Sequence, residues 1–316
     1  MKKIFIGPKE ASLRNTSFFD ASVTLFGSNK NENISYSEKI TFEFWNPDNS
    51  FREINIYNDL LKKISDSSEL IAYNPNLVRK CLLPENISFT CVNDVEIIDI
   101  FDDKIKTRSY FKSIIPMLDY TTIKGSDFRY KDFSINQTPL VIQLPYGGGG
   151  SKTFLCTADN YKEVEKKCDN NEMYSVSVYR QNRCDYNIHC VIAKEQIMLF
   201  APSMQVLEIS DKIEYDDSDY NISLPDDVKF KMRDYSLRVC EHLQKKGYRG
   251  VAGIDYIYSD GELYFIEINP RFQGSTVDLE VLLKESLLPS IYDYNYRAFK
   301  NLEMPDNKNM IGSIMI

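Results

Sequence analysis

Four side chains in one short stretch, Asp255, Glu267, Asn269 and Arg271, have the types and spacing to hold a phosphate through a metal ion. They lie within Gly250 to Thr276, GVAGIDYIYSDGELYFIEINPRFQGST. Val251 to Tyr258 is apolar, β-branched and aromatic, Ser259-Asp260-Gly261 signals a tight turn, and Glu262 to Ile268 resumes a strand pattern, which together predict a β-hairpin. Alternation along the second strand puts Glu267 and Asn269 on one side and sends Ile266 and Ile268 toward the core. With the turn at Ser259 to Gly261, Asp255 falls roughly opposite Glu267, and directly facing pairs bring Cβ atoms to about 4.5–5.5 Å. Two carboxylates that close repel unless a cation sits between them, and an oxygen-only ligand set suits Mg²⁺ rather than zinc. Arg271 reaches the same face if strand geometry continues past Pro270, and a guanidinium beside acidic ligands suits a phosphate carried on magnesium. Taken singly, either acid is an ordinary solvated charge on a hairpin. Their convergence, running on into a Gly-Ser-Thr loop, is what argues for a site.

The pattern Gly-Ile-Asp followed by Tyr-Phe-Ile-Glu-Ile-Asn-Pro-Arg-Phe-Gln-Gly-Ser resembles the metal-binding end of the ATP-grasp superfamily, in particular its carboxylate–amine (amino acid or peptide) ligases. The resemblance implies an α+β ATP-grasp fold, two α+β lobes gripping ATP, preceded by an N-terminal α/β Rossmann-like lobe. It implies an ADP-forming ligase that makes an amide or peptide bond through an acyl-phosphate, in small-molecule or peptide-like metabolite biosynthesis. Asp255, Glu267 and Asn269 become metal ligands, and Arg271 the catalytic residue that steadies the transferred phosphoryl group or the acyl-phosphate. ATP and Mg²⁺ are the implied cofactors, with Mn²⁺ as a substitute. The implied partners are a small-molecule carboxylate and an amine, with a carrier protein or peptide, and a homodimer, as further options. A hydroxyl or carrier-protein thiol acceptor, or a non-catalytic ATP-binding module, stands as the alternative.

A second stretch, Pro139 to Leu155, PLVIQLPYGGGGSKTFL, sets four glycines between apolar strands at Leu140 to Leu144 and Thr153 to Cys156. Adjacent glycines cost conformational entropy and are tolerated mainly where backbone approaches something closely. Backbone N–H groups freed from pairing can cradle a polyphosphate, although Gly-Lys-Ser/Thr is missing and this is no P-loop. A loose hairpin turn is the plain alternative. By the resemblance it is the mobile loop over ATP, so Gly147, Gly148, Gly149, Gly150 and Ser151 are expected to bind nucleotide. Gln143 stands where many members carry a second phosphate-binding lysine; its amide offers a hydrogen bond but no charge, so either Lys152 or Arg271 compensates or nucleotide binding is weaker, the motive for the non-catalytic alternative. Asp102-Asp103 predicts an N-cap for a helix from Lys104 to Ile115, stopped by Pro116. The resemblance gives Lys104 a phosphate contact, with Lys106 as rival. Further on, strand Tyr174 to Tyr179 leads to a hinge at Val178 to Asn182 whose backbone is expected to meet adenine, with Tyr179 among the nucleotide-binding residues. Asp185, Asn187 and His189 alternate onto one face of the next strand, Asp185 toward ribose and His189 toward the substrate cleft. A lone strand histidine is more often a structural hydrogen-bonder. Gln273, Gly274 and Ser275 are expected to face the acceptor pocket.

The elements that must position these groups are legible in outline. The 316 residues are 43% hydrophobic and 27% charged, ordinary for a globular protein. A net charge of −8 argues against a general nucleic-acid binder. No run approaches the roughly 18 apolar residues of a membrane span, and MKKIFIGPKEASL reads as a first strand rather than a signal peptide. Seven cysteines without a Cys-X-X-Cys pair suggest reduced core residues in a cytoplasmic protein. With only two histidines, neither a histidine-rich metal site nor a hydrolase triad is expected. Strands Lys3 to Gly7 and Glu69 to Tyr73, with helical patterning at Tyr57 to Ile64, predict a βαβ lobe, and the lack of Gly-X-Gly-X-X-Gly argues against NAD. The chain divides into lobes at 1–102, 103–180 and 181–316. Within the last, Ile197 to Ala201 and Gln205 to Ile209 read as two strands around Pro202, and Asp211 to Tyr220 as an acidic surface loop. Asp226 to Lys246 reads as the longest helix, capped by Asp226, ended by Gly247, with Val228, Met232, Tyr235, Val239 and Leu243 as its core stripe. Helices at Val277 to Leu288 and Pro289 to Lys300 close the chain.

Overall fold

The structure is a computed structural model that describes residues 1–7, 16–25, 38–42, 58–59, 61–150 and 152–305. The N-terminal sheet is parallel. It comprises β1 (Lys2–Gly7), β2 (Ala21–Leu25), β3 (Glu38–Phe42), β4 (Ser68–Ala72) and β5 (Ile87–Phe89), in the order β3-β2-β1-β4-β5. Ile4, Phe5, Ile6, Leu70, Ile71 and Ala72 are buried, as the unbroken apolar runs of a sheet covered on both faces require. Of the expected Tyr57 to Ile64 helix, Asn58, Asp59 and Leu61 are helical, and Tyr57 and Leu60 lie outside the described residues.

The second sheet holds β6 (Tyr120–Lys124), β7 (Leu140–Gln143), β8 (Thr153–Cys156) and β9 (Met173–Val178), antiparallel in the order β6-β9-β7-β8. Leu140, Ile142, Tyr174 and Val176 point to its own small core with Val164 and Cys168 of the Tyr161–Cys168 helix. The third sheet holds β10 (Arg183–Ile192), β11 (Ile197–Ile209), β12 (Ile213–Asp219), β13 (Gly250–Ser259) and β14 (Glu262–Asn269), antiparallel in the order β12-β11-β10-β13-β14. One face packs on the 20-residue helix Asp226–Lys245 through Val228, Met232, Val239 and Leu243, meeting Ile188, Ile254, Phe265 and Ile268.

Four sequence expectations are corrected. β11 runs unbroken through Pro202 as one 13-residue strand; Pro202 pairs with Ile188 beside a register shift between Ile188 and Cys190, a bulge that absorbs the missing N–H. Asp211 to Tyr220 is no loop but contains the sheet-edge strand β12, and a row of acidic side chains is what keeps an exposed edge from pairing with another chain. The long helix is preceded by Pro225 at the N-cap without a side-chain cap bond, and Asp226 and Asp227 instead place charge in the first turn, where the helix dipole favours it. The helix from Lys104 ends at Phe111, and Ile114 N and Ile115 N both turn back to Phe111 O before Pro116.

The opposite face of the third sheet is covered by helices Thr276–Glu285 and Ile291–Lys300, whose Leu279, Tyr292, Tyr294 and Ala298 share one core with Phe5 and Ile71 of the N-terminal sheet and with Tyr73 just past β4. Glu280 joins the two helices: it is 1% exposed and accepts from Ser290 Oγ at 2.9 Å and from Ile291 N. Burial pushes its carboxyl up to about 7, against the pull of those two bonds. The folded state therefore holds the proton more tightly than the unfolded chain, so this group costs stability as pH rises from about 4.5 to about 7 and continues to do so above it. Glu280→Gln keeps the acceptor oxygen without the charge. It is expected to stabilise the fold at pH 8 by up to about 3 kcal/mol, with most of the gain gone at pH 5; a melting-temperature difference that does not change between the two pH values would refute the assignment.

Candidate functional site

The β13–β14 hairpin turns on Asp260 and Gly261, both at positive φ (54° and 80°), the geometry of a two-residue type I′ turn. Counted from that turn, Ser259 faces Glu262 and Tyr256 faces Phe265; a register that continued unchanged would set Asp255 opposite Ile266. The register shifts between Tyr256 and Asp255, with Ile266 as the extra residue, and this bulge brings Glu267 opposite Asp255, the facing pair expected from the sequence, and Asn269 opposite Gly253. The expectation that Ile266 enters the core is therefore corrected. The bulge turns its side chain to line a cleft, and its carbonyl accepts a hydrogen bond from Arg108 Nε at 2.9 Å. The cleft, about 910 Å³ counted to its open mouth, lies between the second and third sheets, and Asp255 and Glu267 form part of its floor.

Asp255 accepts from Asn187 Nδ2 at 2.5 Å, Gln205 Nε2 at 3.1 Å and Asn269 Nδ2 at 3.0 Å. Desolvation, and then the charge of Glu267, raise its carboxyl above the usual range. Glu267 feels the same desolvation, but Lys104, Arg108 and Arg271 outweigh it and hold that carboxyl low. The strongest partner is Lys104, whose Nζ stands 2.9 Å from Glu267 Oε2 and also donates to Gly147 O at 2.9 Å. Asn269 Oδ1 accepts from Arg271 Nη2 at 3.0 Å, and Arg271 Nη1 donates to Phe272 O at 3.1 Å. The two carboxylates line the cleft, and Asn269 stands beside them with its Nδ2 turned to Asp255 and its oxygen to Arg271. Among the described residues no group of three His, Cys, Asp or Glu side chains gathers to hold a metal. Any cation here relies on two carboxylates, an amide and oxygens of a ligand, a hard set that fits Mg²⁺ or Mn²⁺. The raised Asp255 is the observation that matches a divalent ion, because Lys104 neutralises one acid and leaves the pair in want of a second positive charge.

The glycine loop is packed rather than loose. Gly150 has φ +77°, and a Cβ there would stand 1.8 Å from Ile213 O of β12. Gly149 O accepts from Tyr215 N at 3.2 Å, and a Cβ on Gly148 would approach Arg271 Nη2 to 2.8 Å. Gly147, held by Lys104, and Gly150 line the cleft; Ser151 lies outside the described residues.

Of the two rival lysines, Lys104 lines the cleft, whereas Lys106 is half exposed and reaches Asp103 at 3.6 Å. Asp103 caps the helix as expected, accepting from Ile105 N and Lys106 N. Asp185 lines the cleft but is bound to Arg183 Nε at 2.9 Å, and that guanidinium lies 4.8 Å over the Tyr179 ring. His189 is fully buried, its Nε2 paired with Thr276 Oγ1 at 3.1 Å, and burial drives its pKa down to about 3, so it is a neutral structural group. Gln273 and Ser275 are also buried, and both donate to Asn187 Oδ1, at 2.8 Å and 3.2 Å. Through Asn187 they stand behind Asp255 rather than lining the cleft. Gly274 is pressed against the Tyr215 ring. Sequence reasoning missed Arg108 and Gln205. A signal for Arg108 existed, since it lies one helical turn beyond Lys104 and so shares its face; Gln205 reaches Asp255 only because β11 continues past Pro202.

A family model described as the ATP-grasp domain matches residues 101–275. Pyruvate carboxylase of Staphylococcus aureus is 24% identical over 223 residues, which make up 64% of this chain and 18% of that protein, so the chain spans less than a fifth of that curated relative. The biotin carboxylase–ATP complex of Campylobacter jejuni superposes with a TM-score of 0.67 at 15% identity, covering 100% of this chain and 73% of that one. The L-amino acid ligase of Bacillus licheniformis gives 0.61 at 12% identity, covering 95% and 74%. At such identities the structures show a common fold. The family model spans more than half of the chain, including Lys104, the glycine loop and the Asp255–Glu267 hairpin: the chain belongs to the ATP-grasp domain family.

Proposed function

We propose that this chain is an ATP-dependent carboxylate–amine ligase that forms an amide or peptide bond through an acyl-phosphate and releases ADP and phosphate. The observation that carries the reading is the register pair Asp255–Glu267, joined by Asn269 and Arg271 and covered by the glycine loop on which Lys104 is seated. The ligase and carboxylases among the similar proteins support the class of reaction. Residues 103–180 and 181–316 grip the nucleotide, and residues 1–102 hold part of the substrate.

Asp255, Glu267 and Asn269 hold Mg²⁺, which when bound offsets charge on the transferred phosphoryl oxygens. Lys104 and the backbone of Gly147 to Gly150 bind the phosphates, the hinge at 178–182 meets adenine through its backbone, and Asp185 takes the ribose. Arg271, oriented by Asn269 Oδ1, steadies the acyl-phosphate while the amine attacks. Asn187, Gln273 and Ser275 fix the Asp255 carboxylate. The substrates are a dissolved carboxylate and amine, and a cytoplasmic setting suits seven cysteines without a Cys-X-X-Cys pair. Among the described residues no helix is long and apolar enough to cross a membrane.

Incubation with Mg-ATP, pooled carboxylates and hydroxylamine is expected to yield ADP, phosphate and a hydroxamate; a phosphorylated alcohol, or no turnover across the pool, would overturn the ligase reading. Glu267→Gln should lower turnover about 100-fold or more, as loss of one preorganised electrostatic group does, and a rate near that of the wild type would remove Glu267 from the metal site. Lys104→Met should raise the KM for ATP about tenfold or more, the scale of one charge-assisted hydrogen bond; an unchanged KM would leave Lys104 only its ion pair with Glu267.

A further inference from the structure

Position 143 carries an amide where a cation would serve a phosphate, yet a cation stands beside it. Arg108 is 6% exposed and lines the cleft one helical turn past Lys104. Three elements hold its guanidinium: Nε donates to Ile266 O of β14 at 2.9 Å, Nη1 to Ser175 Oγ of β9 at 3.1 Å, and Nη2 to Gln143 Oε1 of β7 at 2.6 Å. All three acceptors are neutral. The carboxylate that acts on its charge, Glu267, is already paired with Lys104 at 2.9 Å. A cation held away from water by neutral groups alone is costly, and an anion in the cleft would offset that cost. Three of the five guanidinium N–H groups are used, and the other two have no acceptor among the described residues.

We propose that Arg108, oriented by Gln143, binds the phosphates of the nucleotide and supplies from the helix the positive charge that position 143 lacks. Gln143 is suited to that partnership. Its Nε2 donates to Thr153 Oγ1 at 3.2 Å, which leaves Oε1 facing the guanidinium. A lysine at 143 would bring its ammonium toward Arg108 in place of that acceptor, so a lysine at 143 and an arginine at 108 are alternatives for one charge. The inference rests on the nucleotide reading of the cleft and specifies a residue within it.

Calorimetric titration of the full chain with Mg-ADP and with adenosine tests this. Arg108→Gln is expected to weaken ADP at least tenfold and leave adenosine unchanged, and the exchange Arg108→Gln with Gln143→Lys should recover most of the ADP affinity. Wild-type ADP affinity in Arg108→Gln, equal losses for ADP and adenosine, or no recovery in the exchange would reduce Arg108 to a strut between the sheets and overturn the proposal. Where circular dichroism shows that Arg108→Gln does not fold, Gln143→Leu decides: loss of ADP affinity alone supports the pair, and unchanged affinity overturns it. Wild-type ADP binding without hydroxamate formation would end the ligase reading and leave this one standing. Hydroxamate formation with ADP affinity indifferent to Arg108 would do the reverse.

Discussion

Two carboxylates facing each other across a hairpin, largely out of water, are the constraint on which the rest of the structure depends. Like charges in a poorly polarisable surrounding are expensive, and hydrogen bonds alone seldom repay the cost. The chain answers with two different environments. Asp255 is surrounded by amides from Asn187, Gln205 and Asn269, which accommodate it without charge; Glu267 is met by Lys104 and lies within the fields of Arg108 and Arg271. One acid is left with a raised affinity for a proton and the other with a lowered one. That asymmetry suits a site in which a metal ion can complete what the protein leaves half neutralised.

Meeting that constraint also ties the molecule together. The cations do not come from the hairpin's own strands: Lys104 and Arg108 project from the helix that enters the second sheet's lobe. Lys104 reaches the glycine loop at Gly147 while it pairs with Glu267, and Arg108 reaches β7, β9 and β14 at once. Shape at the cleft and charge at the cleft are therefore set by the same side chains. The glycine loop fits this economy, because Gly150 and Gly148 leave room only for backbone against β12 and Arg271.

How much of this was legible follows from what local sequence can encode. The hairpin was legible because Asp260-Gly261 dictates a two-residue turn, but counting back from that turn pairs Asp255 with Ile266, so Glu267 faces Asp255 only through a one-residue bulge. That bulge at Ile266 was not legible, since it interrupts alternation without changing composition. Strand β12 was hidden because an acidic edge strand and an acidic loop read alike, and β11 because proline ordinarily ends a strand unless a bulge in the partner admits it. His189, Gln273 and Ser275 were placed correctly on their elements, but whether a polar side chain faces a cleft or an inner network depends on what packs against it. Here the covering groups are Thr276, Tyr220 and Asn187, distant in sequence from at least one of their partners.

Gln143 shows the same limit in a form that bears on chemistry. Read along the chain, a missing lysine is a missing charge, and a missing charge is the motive for regarding the protein as a nucleotide-binding module without turnover. In space the charge is accounted for from another element. Arg108 stands 2.6 Å from the Gln143 oxygen, and Gln143 is the residue that tolerates it there, since a cation at that position would meet a guanidinium. Charge at a phosphate site is a property of a volume rather than of a position, and it can be supplied from any backbone that borders that volume. On the proposed reading of the cleft, the neutral amide at 143 therefore leaves no gap in the positive charge around a bound phosphate.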